Sequence, residues 1–125
     1  MRLNPDCVRD TLLSLEEHLS IDEYGEIIQL SFEDISSLPD LSEYDSKEIF
    51  FVLHQLFGCG ILKSGKRYVN DSAPRIGGIT EKGYKFIDSV KSQTNWKKIK
   101  DTSKTLGIFT LKTLIEFVIK SQFEV

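Results

Sequence analysis

Apolar residues recur along this chain with two different periods, and the alternation between them marks out its elements. Val8, Leu12, Leu15 and Leu19 follow at spacings of four, three and four, which puts them on one face of an α-helix. Asn4, Pro5 and Asp6 open that helix with a capping amide, a proline suited to the first turn and a carboxylate at the positive end of the dipole. Its end is expected near Ser20. "IDEYG" is a turn, and the short β-rich run "EIIQL", Glu26 to Leu30, predicts a strand. Ser31-Phe32-Glu33-Asp34 reads as a cap opening a short helix, and Pro39 stands at or just after its end.

Asp45-Ser46-Lys47-Glu48 is close to a capping box. The run "IFFVLHQLF" behind it is too long and too evenly apolar for a half-buried strand. It predicts a helix from Ser46 to about Phe57, with Gly58 and Gly60 supplying the left-handed positions that stop it. Ile61 to Lys63 and Arg67 to Val69 are predicted strands, "NDSAP" is a turn, and Arg75 to Ile79 is the returning strand. Thr80 caps the next helix, "TEKGYKFIDSVK", where the small Gly83 allows helix and sheet to come close. Asn95 is the expected cap of "WKKIKDTSK", with Trp96, Ile99 and Leu106 as its apolar seam. Thr110 opens the last helix, "LKTLIEFVIKSQF".

The predicted order is helix, strand, helix, helix, strand, strand, then three helices. Its first six members are the order of a winged helix-turn-helix. The isolated early strand then makes sense as a third member of the later hairpin, since a lone strand cannot satisfy its own backbone. The expected fold is α+β: a winged-helix domain over residues 1–92 with a small antiparallel sheet, and a C-terminal helical extension, 93–125, packed on it.

"LNPDCVRD", "LHQLFGCGIL", "ITEKGYKFIDSVKSQTNWKKIK" and the closing apolar helix resemble a family of small bacterial and prophage-encoded proteins, domain of unknown function 2513. The resemblance covers nearly the whole chain. It implies a winged-helix-like fold and a prophage setting, with no established activity and no catalytic residues to carry over. Gly83-Tyr84 stands where the family often has Gly-His.

The 125 residues suffice for one domain with a real core. No apolar run approaches the roughly 20 residues of a membrane span, and "MRLNPDCVRD" lacks the apolar stretch of a secretory signal. No membrane partner is expected, and the expected compartment is the cytoplasm. Cys7 and Cys59 make neither a metal set nor a disulfide framework. Both are expected to be reduced, mostly buried thiols, with Cys7 in a first helical turn where a dipole can lower a thiol pKa. His18 and His54 have no ligand neighbours at metal spacing. His18 suits the C-terminal end of its helix and His54 a half-exposed boundary. No phosphate loop, nucleophile elbow or dinucleotide fingerprint occurs. The expectation is a protein that is not an enzyme and has no cofactor, no catalytic residue and no metal.

Charge is the feature that points outward. Residues 1–60 hold 13 acids and 3 bases, net −10, whereas residues 61–125 hold 6 acids and 13 bases, net +7. Such asymmetry suggests a charged partner or attraction between the halves. Lys63, Lys66, Arg67 and Arg75 cluster about the predicted wing, and Lys97, Lys100 and Lys104 recur at helical spacing. These seven are the candidate contacts for nucleic acid or an acidic partner.

The helix that would read bases is different. It offers one base, Lys47, beside Glu43, Asp45 and Glu48, and Gln55 is its one amide. The connection from Leu38 to Tyr44 also exceeds the usual three-to-four-residue turn. Ile49, Val52, Leu53 and Leu56 form its inward face, while Phe50, Phe51 and Phe57 spread apolar surface further round. In the final helix Phe117, Ile119 and Phe123 similarly widen the stripe of Leu111, Leu114, Ile115 and Val118. Phe50, Phe51, Phe117, Ile119 and Phe123 are the candidate protein interface. These surfaces are covered within the chain, by a partner, or by a second copy in a homodimer. The expected function is to bind another macromolecule, a protein in preference to DNA, with a DNA-binding regulator acting through its wing as the alternative and an unrecognised enzyme as a remoter one.

Overall fold

In the computed structural model, which describes residues 2–66, 68–108 and 110–121, helix α1 (Pro5–His18) begins as its sequence dictates. The Asn4 Oδ1 accepts the Asp6 and Cys7 amides at 3.1 and 3.4 Å. Cys7, Val8, Leu12 and Leu15 are fully buried. Arg9 also faces inward. Its Nε donates to the Val90 carbonyl at 2.8 Å and its Nη2 to that of Lys91 at 2.9 Å.

After α1 the chain departs from expectation. "EIIQL" is not a strand along its length. The Asp22 Oδ1 accepts the amides of Tyr24 (2.8 Å) and Glu26 (3.0 Å), and Gly25 takes φ 80°. This local turn folds Ile27 back onto Ile21 as an isolated bridge, and the Ile28 amide donates to Ser20 at 2.9 Å. Residues 20–28 thus form a small hairpin arm. By backbone pairing only Leu30 meets the later sheet, through a second bridge to Ile76, while the Ile27 side chain reaches over Gly78 of the returning strand and the Gln29 Oε1 accepts the Lys66 amide at 3.0 Å. The expected partner is correct and the length is not, because the Asp22 turn satisfies the first half of the segment locally.

Helix α2 (Phe32–Ser36) carries a full capping box between Ser31 and Asp34. Pro39 opens a 3-10 turn, Pro39–Leu41, within the long connection. Helix α3 (Ser46–Gly58) buries Ile49, Val52, Leu53 and Leu56, as the pattern predicts. Its expected capping box does not form: Asp45 makes no side-chain cap bond, and Glu48 instead accepts from Asn4 Nδ2 at 2.7 Å.

Strands β1 (Leu62–Ser64) and β2 (Ile76–Ile79) pair antiparallel, Leu62 opposite Ile79 and Ser64 opposite Ile76. Tyr68 and Val69 are not strand residues but part of the loop between them, and Arg67 lies outside the described residues. Helix α4 (Glu81–Val90) is capped by Thr80, whose Oγ1 accepts the Gly83 amide at 3.0 Å. A Cβ on Gly83 would stand 2.6 Å from the Ile61 carbonyl oxygen, so the close helix–sheet approach requires glycine. Helix α5 (Gln93–Leu106) starts from Ser92 rather than Asn95. Its seam is Trp96, Ile99 and Ser103, whereas Leu106 is 61% exposed. The left-handed Gly107 ends it and Thr110 caps α6 (Leu111–Ser121).

Helices α5 and α6 both pack on α4, and one hydrophobic cluster runs from Cys7 to Val118. The architecture is α+β, six α-helices about a two-stranded antiparallel sheet among the described residues. Among the described residues no helix is long and apolar enough to cross a membrane.

Candidate macromolecule-binding surfaces

The basic residues singled out from the sequence fall into two classes once folded. Lys63 and Lys66 are exposed on β1 and the loop after it, and Lys97 and Lys104 are exposed on α5. None of these four is ion-paired among the described residues.

Arg75 and Lys100 are committed internally. The Arg75 Nε meets Asp71 Oδ2 at 3.1 Å, which raises the guanidinium pKa further, and the group lies 4.8 Å over the Tyr68 ring. Asp71 also accepts the Tyr68 amide at 3.0 Å. Arg75 therefore braces the loop. Lys100 Nζ sits 3.0 Å from Asp6 Oδ1, which also accepts the Trp96 indole N–H at 2.8 Å. Partial burial opposes the Asp6 charge, but the bonds from Trp96 and Lys100 outweigh it and hold this carboxyl below its ordinary range. No sequence spacing links Asp6 to residues some ninety positions away, so only folding reveals this cluster.

The outward side of α3 divides into two stripes. On one, Phe50 and Phe57 are half-buried and His54 is exposed, and all three pack on Phe32 of α2. Their ring centroids lie 5.8, 6.1 and 4.9 Å from that of Phe32, with His54 edge-on. On the other, Phe51 and Gln55 line a cleft of about 870 Å³, together with Leu3 and Asp6 at the start of α1 and Ile108, Leu111 and Leu114 at the α5–α6 junction. Arg2, Lys100 and Lys104 stand on its walls. Phe117 and Ile119 are half-buried against the core, and Phe123 lies outside the described residues.

Cys7 behaves opposite to the helix-dipole expectation. It is fully buried with its Sγ 3.9 Å from Thr11 Oγ1, and burial pushes its thiol up to about 11. Burial raises Cys59 as well. His18 Nε2 lies 3.1 Å from Asp40 Oδ2, and with Glu17 these exposed side chains bring three ligand-type atoms within 4.8 Å of one another, neighbours that the sequence spacing of His18 did not show.

Sequence reasoning missed two features that matter here. One is the arm, where Ile21, Tyr24, Ile27 and Ile28 are 64%, 82%, 42% and 49% exposed. Its signal was the Asp-Glu-Tyr-Gly turn between two isoleucine positions. The other is the cleft, which needs the tertiary arrangement of three helices. No curated protein and no solved structure matches the chain. The family described as "Hypothetical protein (DUF2513)" matches residues 2–109, and the chain belongs to that family.

Proposed function

We propose that this chain is a non-enzymatic accessory protein of winged-helix type that binds another protein through the Phe50–His54 side of α3. The order α1, the Leu30 bridge, α2, α3, β1, β2 supports the winged-helix reading, with residues 65–75 as the wing. The single observation carrying the protein-binding reading is the state of α3. Its outward side offers Lys47 as its one cation, an aromatic ridge on one stripe and a walled cleft on the other. A helix that reads a major groove needs free polar side chains and phosphate anchors beside it. Here Gln55 faces the cleft, and the acids Glu43 and Asp45 precede the helix. The family's prophage setting, implied by resemblance, fits a small protein that acts by engaging a host component.

A photo-crosslinking residue at position 54, in cells that express the protein naturally, tests this. The expected product is a covalent protein adduct that survives nuclease and is absent when the crosslinker stands at position 98. An adduct removed by nuclease would overturn the reading in favour of DNA.

A further inference from the structure

We propose that the arm of one copy, residues 20–28, docks into the cleft at the start of α1 in a second copy. Among the described residues the arm presents the most concentrated exposed apolar surface, with Ile21, Tyr24, Ile27 and Ile28 standing out within eight positions. Single exposed apolar residues are ordinary, whereas a contiguous group marks a contact surface. The arm is also acidic. Asp22 spends one carboxylate oxygen on its own turn, and Glu23 and Glu26 remain exposed.

The cleft is the complement in both respects. Leu3, Phe51, Ile108, Leu111 and Leu114 make it apolar, and Arg2 and Lys104 are exposed cations on its walls. Lys100 adds less, being held by Asp6. A volume near 870 Å³ accommodates a tyrosine and a neighbouring isoleucine. An exposed tyrosine entering an apolar pocket ringed by opposite charge is the usual form of an interface anchor.

The docking runs between copies because of α1. The arm begins just past the helix's C-terminal end and the cleft lies at its N-terminal end. Fourteen residues of helix hold the two about 21 Å apart. An arm cannot reach its own cleft. Two copies with their α1 helices antiparallel bring each arm to the other's cleft, and the assembly closes at a dimer. This contact uses the Phe51 stripe of α3 and leaves the Phe50–His54 ridge free, so it is distinct from the heterologous binding proposed above.

Sedimentation equilibrium on the full chain at about 100 μM, a concentration that saturates a micromolar contact, tests the proposal. The expected mass is a dimer. Tyr24→Ser with Ile28→Ser should give a monomer with an unchanged circular-dichroism spectrum, and Arg2→Glu with Lys104→Glu should do the same. A monomeric wild-type chain overturns the proposal. So does a dimer that survives either double variant.

Discussion

The guanidinium of Arg9 is buried in α1 and donates through Nε to the carbonyl of Val90, the last residue of α4, at 2.8 Å. Helix ends leave carbonyls without partners and carry partial negative charge. A fixed cation there answers both needs, and it locks the first helix to the fourth. Arg9→Leu removes both donors and leaves those carbonyls without their partner, so the urea midpoint should fall by an amount equivalent to about 2 kcal/mol. Arg9→Lys should recover only part of this, because an ammonium lacks the planar fork. An unchanged midpoint in Arg9→Leu would show that the contact is dispensable.

Asp6 predicts an acid dependence. Its carboxyl pKa in the fold lies below the ordinary 3.8, so the stability it adds is full above the unfolded pKa and lost as pH falls through the folded one. The side chain is 51% exposed, so solvent screening holds the contribution to about 1 kcal/mol or less. Asp6→Asn should be slightly less stable than the parent at pH 7, with the difference shrinking as pH falls below 3.8 toward the lower folded pKa. A constant difference across that range would separate the effect from titration.

Gly83→Ala forces a methyl to 2.6 Å from the Ile61 carbonyl oxygen and 2.7 Å from Ile79 Cγ2. Backbone and a buried side chain cannot yield cheaply, and the expected destabilisation is about 2 kcal/mol by thermal or urea unfolding. A neutral outcome would mean that α4 can slide on the sheet.

Cys7 should resist thiol reagents. A fully buried thiol with a pKa of about 11 offers almost no thiolate at pH 8. Labelling of Cys7 should appear only with unfolding, at a rate set by denaturant. Stoichiometric labelling of the folded chain at both cysteines within minutes would contradict its burial.

Any DNA binding should be weak and only modestly dependent on salt. The exposed cations of the loop region are Lys63 and Lys66 among the described residues, and two neutralised phosphates give a log–log salt slope on the order of −2. Fluorescence anisotropy with mixed-sequence duplex should show Lys63→Glu with Lys66→Glu abolishing whatever binding exists, while Gln55→Ala changes little. Tight binding destroyed by Gln55→Ala would restore α3 as a base reader.

Helices were legible where local chemistry decides them. Asn4, Ser31, Thr80 and Thr110 each cap the helix they were expected to open. The periodic apolar faces of α1 and α3 are buried as the spacing requires. Local signals failed where a tertiary partner intervened. Glu48 left its capping role for Asn4, forty-four positions away. Ser92 outcompeted Asn95, which is itself buried. The strand "EIIQL" loses its first half to the Asp22 turn, whose carboxylate reaches as far as the Glu26 amide. Of the seven cations chosen as contacts, Arg75 and Lys100 turned inward because carboxylates lay near them in space, which residue counts cannot show. The arm and the cleft come from the packing of distant segments, and no single window of sequence contains either.

Helix α1 is tied to segments that follow much later: Asn4 to Glu48, Arg9 to Val90 and Asp6 to Trp96. Synthesis runs from the N-terminus, so α1 leaves the ribosome ahead of these partners and waits until α3, the α4 end and α5 have all emerged before it finds them. Until then its apolar stripe of Val8, Leu12 and Leu15 lacks the seat that the finished fold provides. Long-separated contacts of this kind slow folding and leave nascent surface open to chaperones. Completion of this domain is therefore an event after translation of α5, and the interval before it is when the chain is most vulnerable to proteolysis.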